Sequence, residues 1–202
     1  GRVAAASGDR EQGRAPSRGR TVDAAREVQR NTEPFVRVAR EHKSNVDAGK
    51  SPFFDEARDK NDNGSHIFSP SGQYGVQGKM HMTRFEAEEW DVAPRERLKV
   101  FETDFGKLAI AICYDIEFPE IARAAAHQDA QIIVTPSCTD DRQGFLLVRY
   151  CAPARATNDQ VYVRHAGTVG PAPMAPGPPR TSPPAAQHPP APVPFAPAAH
   201  LV

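Results

Sequence analysis

Residues 106–120, which read GKLAIAICYDIEFPE, constrain the fold of this chain more than any other segment. Residues 108–112 form an unbroken apolar run, which is typical of a strand buried on both faces. The run ends at Cys113, and Pro119 follows at a position that suits the first turn of a helix. The sequence therefore predicts a cysteine where a buried strand gives way to a helix. In α/β proteins, reactive groups gather at this edge of the sheet.

The flanking segments extend this pattern. A strand over 98–103, a turn and a returning strand over 107–113 predict a hairpin. The next elements are a helix over 119–127, a buried strand over 130–136, a helix over 144–156 that Pro153 disturbs, and a strand over 160–165. This β-α-β-α-β order is typical of a layered α/β fold.

The N-terminal half carries weaker patterns. Residues 21–43 predict two helices separated at Pro34, with Thr32 capping the second and Phe35, Val36, Val38 and Ala39 facing the core. Further predictions are a weak strand over 44–50, a charged loop over 53–64, a short strand over 65–68, a turn over 69–72 and an extended segment over 74–77. Residues 78–90 have no clear period and predict an irregular loop.

Composition separates the ends of the chain from its middle. Of the 20 prolines, 12 lie after Gly170, which predicts a disordered or polyproline-type tail over 171–202. The first 20 residues are rich in Gly, Arg, Ser and Ala and have no pattern. We therefore expect one folded domain over 21–170.

Charge and cysteine content argue against several classes of protein. The 25 basic and 25 acidic residues balance, so the net charge does not indicate nucleic-acid binding. No apolar run approaches the roughly 20 residues that cross a membrane. Three cysteines without CxxC spacing favour a reducing, cytoplasmic setting over a disulfide framework. The seven histidines lack zinc-ligand spacing, so we expect no metal.

Cys113, Lys79 and Glu86 are the candidates for chemistry. A cysteine after an apolar strand is most often a small buried apolar residue, but a helix start close behind it stabilises a thiolate. A thiolate that attacks a carbonyl or nitrile carbon needs a base, and a cation or backbone donors for the oxyanion. Lys79 is a candidate cation, and Glu86 is a candidate to orient it or to share a proton. Each is otherwise an ordinary solvated side chain.

Two longer motifs link these residues. Residues 79–86 (KMHMTRFE) and 112–120 (ICYDIEFPE) together resemble the lysine and cysteine motifs of the nitrilase superfamily, the carbon–nitrogen hydrolases. The segments 68–72 (FSPSG), 133–137 (IVTPS) and 154–156 (ARA) also resemble it, and the likeness covers about 34–170. The resemblance implies an αββα sandwich that associates into homo-oligomers.

The resemblance also implies roles for individual residues. Cys113 would be the nucleophile, forming a thioester with release of ammonia or an amine, and water would then cleave the thioester. Lys79 would stabilise the tetrahedral intermediates, with the backbone N–H of Tyr114 as a second oxyanion donor, and Glu86 would match the family's second glutamate. The implied substrate is a small amide, in preference to a nitrile, and no organic cofactor or metal is implied.

The chain departs from the family pattern in two places. The family's general base is a glutamate in a Phe-Pro-Glu-type motif, which the first thirty residues lack, and Glu33 beside the helix is a poor substitute. A segment that reads Ala-Leu-Glu-Asn in relatives reads ATND at 156–159, so a supporting carboxylate is lost or displaced. We therefore expect a domain incomplete at its N-terminus, from a truncated or misread gene. An inactive scaffold that acts by association, and acyl transfer to an amine through the same thioester, are the open alternatives.

Overall fold

The structure is a computed structural model that describes residues 32–55, 57–88, 90–139 and 141–168. The predicted terminal segments 1–20 and 171–202, and the first of the two predicted N-terminal helices, lie outside these residues. The described chain divides into two compact units. They are the N-terminal unit, residues 32–97, and the C-terminal unit, residues 98–168.

The N-terminal unit is a helix followed by an antiparallel sheet. The strands lie in the order β1-β2-β3, so each pairs with its neighbour in sequence. Its elements are helix α1 (Glu33–Glu41), strands β1 (Val46–Asp55), β2 (Lys60–Phe68) and β3 (Tyr74–Gly78), and the short helix α2 (Arg84–Glu88).

The long hairpin of β1 and β2 corrects the sequence prediction. The predicted charged loop over 53–64 and weak strand over 44–50 form most of two paired strands, with Phe53 opposite Asp62. The prediction was wrong because β2 is buried although it is polar. The partners that make this burial possible come from elsewhere in the chain: Arg95 donates to both Asp55 and Asp62. The polar first part of this buried strand has no apolar period that sequence analysis detects.

Other predictions in this unit had mixed outcomes. The second N-terminal helix is confirmed as α1, and Phe35 stacks on Phe68 with ring centroids 5.7 Å apart. Thr32 occupies the cap position, but its side chain makes no capping hydrogen bond, and Val38 is exposed rather than facing the core. The turn over 69–72 and the extended segment that became β3 are confirmed. The predicted loop over 78–90 contains α2 and is therefore wrong in part.

The C-terminal unit is a mixed sheet with helices between its parallel strands. The strand order is β4-β5-β6-β7; β4 and β5 form the predicted antiparallel hairpin, and β5, β6 and β7 run parallel. Its elements are β4 (Val100–Thr103), β5 (Gly106–Ile110), a 3₁₀ helix (Cys113–Glu117), α3 (Pro119–His127), β6 (Ile132–Ser137), α4 (Arg142–Asp159) and β7 (Tyr162–Gly167). The α/β fold class and the β-α-β-α-β order are confirmed.

Apolar burial explains why this unit followed its sequence pattern. Ile110 and Ile133 on the central strands are almost fully buried, as are Ala122 and Ala125 of α3. Pro119 occupies the first turn of α3, as predicted, whereas Pro153 lies inside α4 without ending it. Within the described ranges, no helix is long and apolar enough to span a membrane.

Candidate active site

Lys79 follows β3 in the N-terminal unit and is held there by its backbone. Its N–H donates to the carbonyl of Asn63 (2.7 Å), and its own carbonyl accepts from the N–H of Arg95 (2.8 Å). Its side chain is 0% exposed. The alternative of a solvated surface lysine is therefore wrong, because this ammonium group lies inside the unit.

The partner of the Lys79 ammonium group is Glu86, which is also buried. Lys79 Nζ lies 2.5 Å from Glu86 Oε2, and the same oxygen accepts from the N–H and the hydroxyl of Thr83, each at 2.9 Å. The other oxygen, Oε1, accepts from Nδ2 of Asn63 (2.9 Å) and lies 3.5 Å from Nζ of Lys50. Both carboxylate oxygens are thus held by fixed donors.

The geometry around Glu86 follows from a local sequence motif. Thr83 precedes α2, and Glu86 stands three residues later, which is the spacing of a capping box. The Thr83 hydroxyl also accepts from the N–H of Glu86 at 3.3 Å. The box aims the glutamate back towards Thr83 and Lys79 rather than into solvent. This motif was the available signal that Glu86 belongs to an ordered element.

The ionisation of Glu86 results from opposing effects. Burial raises the pKa of this carboxyl group, but the charges of Lys50 and Lys79 and its hydrogen bonds lower the pKa from 4.5 to about 2. Glu86 is therefore an anion near neutral pH and accepts hydrogen bonds without donating one. Of the two roles predicted for it, this favours orienting Lys79 over sharing a proton.

Cys113 lies in the C-terminal unit, where the chain leaves β5 and enters the 3₁₀ helix. Its φ angle is +51°, in the left-handed region that non-glycine residues rarely adopt. Such a conformation costs roughly 1–3 kcal/mol and persists where the surroundings impose it, often at functional sites. The residue is 6% exposed. The predicted change from strand to helix at the cysteine is confirmed, with a 3₁₀ turn placed before α3.

The turn that carries Cys113 is fixed by a buried carboxylate. The N–H of Ile112 donates to Asp115 Oδ2 (3.1 Å), and the N–H of Asp115 donates to the carbonyl of Ile112 (3.0 Å). Asp115 is 1% exposed. From α4, the buried Arg155 donates through Nε to the carbonyl of Ile116 (3.2 Å), which holds the far side of the turn.

The cysteine sulfur contacts the end of the neighbouring strand. The hydroxyl of Ser137, the last residue of β6, donates to Cys113 Sγ at 3.4 Å, and the carbonyl of Cys138 lies 4.0 Å from the sulfur. Because β5 and β6 are parallel, their carboxyl ends meet at one edge of the sheet. Tyr114 is the second residue of the 3₁₀ helix, where backbone N–H groups have no acceptor within the helix itself.

The structure therefore contains two clusters of candidate site residues. In the N-terminal unit it brings Lys79 and Glu86 together, and in the C-terminal unit it brings Cys113 and Tyr114 to the strand edge with Ser137. The sequence prediction missed Lys50, Asn63 and Ser137. Asn63 was missed because its part of β2 was predicted as a charged loop, and Lys50 was missed because its segment was predicted only as a weak strand. In the described ranges, no group of His, Cys, Asp and Glu side chains could hold a metal ion.

Comparisons with known proteins agree on one family. The sequence pattern of the family described as Carbon-nitrogen hydrolase matches residues 17–182. The chain is 45% identical over 139 residues to "Probable hydrolase YhcX" of Bacillus subtilis (strain 168), covering 69% of this chain and 27% of that protein. It is 31% identical over 145 residues to "Omega-amidase NIT2" of Xenopus tropicalis, covering 67% of this chain and 51% of that protein.

A solved structure agrees with these sequence matches. The crystal structure of Saccharomyces cerevisiae Nit3, a member of branch 10 of the nitrilase superfamily, matches with a TM-score of 0.62 and 29% identity. The match covers 68% of this chain and 50% of that one. The chain thus spans between about a quarter and about half of the length of these relatives. It belongs to the carbon-nitrogen hydrolase family, within the nitrilase superfamily.

Proposed function

We propose that this protein hydrolyses the carbon–nitrogen bond of a small amide through a thioester on Cys113. The observation that carries the proposal is the backbone of Cys113, held at φ +51° at the carboxyl end of a buried parallel strand. The other non-glycine residues with a positive φ in the described ranges, such as Asp59 and Gln160, are exposed, whereas Cys113 is buried. Membership in the carbon-nitrogen hydrolase family supports the same reaction class.

The reaction proceeds in two halves. The thiolate of Cys113 attacks the amide carbonyl carbon, and the tetrahedral intermediate collapses by breaking the C–N bond. The nitrogen takes up a proton and leaves as ammonia or an amine, so that an acyl thioester remains. Water then adds to the thioester carbon, the C–S bond breaks, the acid leaves and the thiol is restored.

Three further groups have proposed roles in these steps. Lys79 and the backbone N–H of Tyr114 stabilise the negative oxygen of the tetrahedral intermediates. Glu86 holds the Lys79 ammonium group in a fixed place, which its anionic state and its 2.5 Å contact support. No described residue is assigned the role of general base. The resemblance gives that role to a glutamate in a Phe-Pro-Glu-type motif, and base catalysis typically contributes ~10²–10⁴-fold to the rate.

The proposed substrate is a small linear amide, with a nitrile as a weaker candidate. The names of several relatives, among them "Omega-amidase NIT2" and "Omega-amidase NIT3", support an amide. We propose a cytoplasmic homo-oligomer that needs no organic cofactor or metal. Measurement of mass in solution tests the oligomeric state.

The direct test is ammonia release from a panel of small amides by the full chain and by Cys113→Ala. We expect release by the parent protein and loss to background in Cys113→Ala. Cys138→Ala is the matched control, because Cys138 is an exposed cysteine. The amidase proposal fails if the folded parent protein, checked by circular dichroism, releases no ammonia. That result favours the inactive scaffold that acts by association.

The same experiment separates hydrolysis from acyl transfer. With an amine added as acceptor, hydrolysis yields free acid in proportion to ammonia, whereas transfer yields a new amide and little acid. Product mass spectrometry distinguishes the two outcomes. We expect free acid.

A further inference from the structure

We propose that Asn63 is a positioning residue that fixes Lys79 and Glu86 relative to one another. Its catalytic consequence rests on the amidase function proposed above, whereas its structural part does not. Asn63 lies in β2, in the segment that sequence patterns predict as a charged loop.

Asn63 contacts both members of the pair, each through a different group. Its backbone carbonyl accepts from the N–H of Lys79 at 2.7 Å, and its side-chain Nδ2 donates to Oε1 of Glu86 at 2.9 Å. One residue on a rigid strand thus connects the loop that carries Lys79 with the helix that carries Glu86. The ion pair itself uses the opposite carboxylate oxygen, Oε2, so the two interactions do not compete.

Burial of this amide requires an explanation. Asn63 is 5% exposed, and its Oδ1 is buried without a hydrogen-bond partner among the described residues. Burial of a polar group that lacks a partner has a free-energy cost, because its hydrogen bonds to water are lost. The side-chain contact that offsets this cost is the hydrogen bond to Glu86. The amide is therefore used as a donor to the carboxylate.

Asn61 supplies an internal comparison. It lies two residues earlier on the same face of β2, it is 4% exposed, and its carbonyl also accepts from a backbone N–H, that of Ala93 at 2.8 Å. Its Oδ1 is likewise buried without a partner among the described residues. The two residues differ in their partners: the side chain of Asn63 donates to Glu86 (2.9 Å), and its carbonyl accepts from Lys79 rather than from Ala93.

The contacts of Asn63 predict what its loss does. Asn63→Asp keeps the shape of the side chain but replaces the donor with an oxygen that faces Glu86 Oε1. Repulsion then moves Glu86 and, through the ion pair, the Lys79 ammonium group. A displacement of about 1 Å from the productive geometry can cost ~10²-fold in rate. Because the shift affects the stabilisation of the intermediate, it lowers kcat and leaves KM nearly unchanged.

The test compares Asn63→Asp with Asn61→Asp in the full chain, using amide hydrolysis and thermal unfolding. We expect kcat to fall by about 10²-fold in Asn63→Asp and to change little in Asn61→Asp, with similar KM in both. Equal kcat in the two variants, both folded, overturns the positioning role. A purely structural role lowers thermal stability in both variants without this difference in kcat.

A second measurement needs neither activity nor an Asn63 variant. In NMR spectra of the full chain, Glu86→Gln is expected to shift the side-chain amide signals of Asn63 and to leave those of Asn61 in place. Unmoved Asn63 signals overturn the proposal even if the protein hydrolyses amides. If the parent protein is inactive but the Asn63 signals shift, the amidase function fails and the structural part of the proposal stands.

Discussion

The two units of this protein bury strands of opposite character. In the C-terminal unit, β5 ends in the buried residues Leu108, Ala109 and Ile110, so the strand is held by apolar packing. In the N-terminal unit, β2 reads KNDNGSHIF and is buried from Asn61 onwards, although most of it is polar. Polar side chains of this strand, among them Asp62 and Asn63, are held by ion pairs and hydrogen bonds instead. The comparison shows two ways of building a rigid support for a functional group.

The difference has a consequence for function. An apolar strand ends at Cys113 and gives that residue a strained but well-packed turn. A polar strand offers carbonyl and amide groups with which Asn63 holds Lys79 and Glu86. Buried polar groups depend on every partner being present, because a group that loses its partner stays desolvated. We therefore expect substitutions of buried residues to destabilise the N-terminal unit more than the C-terminal unit.

The largest effect is expected when one partner is removed from the buried ion pair. Lys79→Met leaves the Glu86 carboxylate buried without its closest cation, and such a change typically destabilises a protein by about 3–5 kcal/mol. Urea unfolding measures the loss in the free energy of unfolding.

Lys107→Met is the matched control for this substitution. Lys107 also pairs with a carboxylate, that of Asp129 at 3.1 Å, but the two side chains are 39% and 82% exposed. Exposed pairs contribute only about 0.2–1 kcal/mol. Similar losses in the two variants would show that burial of the Lys79–Glu86 pair has no special importance.

A smaller effect is expected in the apolar strand. Ile133→Ala in β6 removes a side chain that is 0% exposed and leaves a cavity, so we expect a loss of about 3 kcal/mol in the free energy of unfolding. Ile133→Val removes less volume, and a loss of about 1 kcal/mol is expected. Equal losses in the two Ile133 variants would contradict a tightly packed C-terminal unit.

The buried Glu86 carboxylate is also expected to make the stability of the protein depend on pH. The pKa of Glu86 is lowered to about 2, although burial alone would raise it, because Lys50 and Lys79 stabilise the anion. Between pH 4.5 and 2 the unfolded chain binds a proton that the folded chain does not. The contribution of the Glu86 anion to the free energy of unfolding is therefore fully present above pH 4.5 and is lost as the pH drops towards 2. Glu86→Gln removes this contribution, and unfolding curves at several pH values detect it.

A buried histidine of the C-terminal unit, His165, is expected to titrate in a higher window. Burial lowers the pKa of His165 from 6.5 to about 4, with a smaller contribution from the charge of Arg149. The histidine takes up its proton first in the unfolded chain, so its protonation lowers the free energy of unfolding as the pH drops from 6.5 towards 4. His165→Gln is expected to flatten the curve in this window and to leave the lower one unchanged. A curve that His165→Gln does not alter contradicts the burial of this imidazole.

The same contrast explains how much the sequence could predict. The hairpin at β4 and β5, the turn at Cys113, the helix from Pro119 and β6 followed from local apolar runs and helix-start signals. The hairpin of β1 and β2 did not, because Asp55 and Asp62 are buried through Arg95, which lies 40 and 33 residues further along the chain. A local pattern does not report partners at that distance.

The candidate site was predictable in part for the same reason. Cys113, Lys79, Glu86 and Tyr114 stand in motifs that resemble those of a known family, so their positions in the chain were identified. The residues that support them were not identified. Asn63 and Lys50 lie on the hairpin that was not predicted, and Ser137 contacts Cys113 only because β6 lies beside β5, an order that local sequence does not report. The capping box from Thr83 to Glu86 is visible in the sequence, but it is too short to be recognised on its own.

The central claim is that Cys113 is the nucleophile, and competitive labelling tests it most directly. The folded full chain is treated with a limiting amount of a haloacetamide, and the three cysteines are quantified by peptide mass spectrometry. Cys138 is exposed, Cys151 is partly exposed and Cys113 is buried, so accessibility alone favours Cys138. The nucleophile account predicts that Cys113 is modified first in the folded protein, and that this preference disappears in urea. Modification of Cys138 ahead of Cys113 in the folded protein would contradict it.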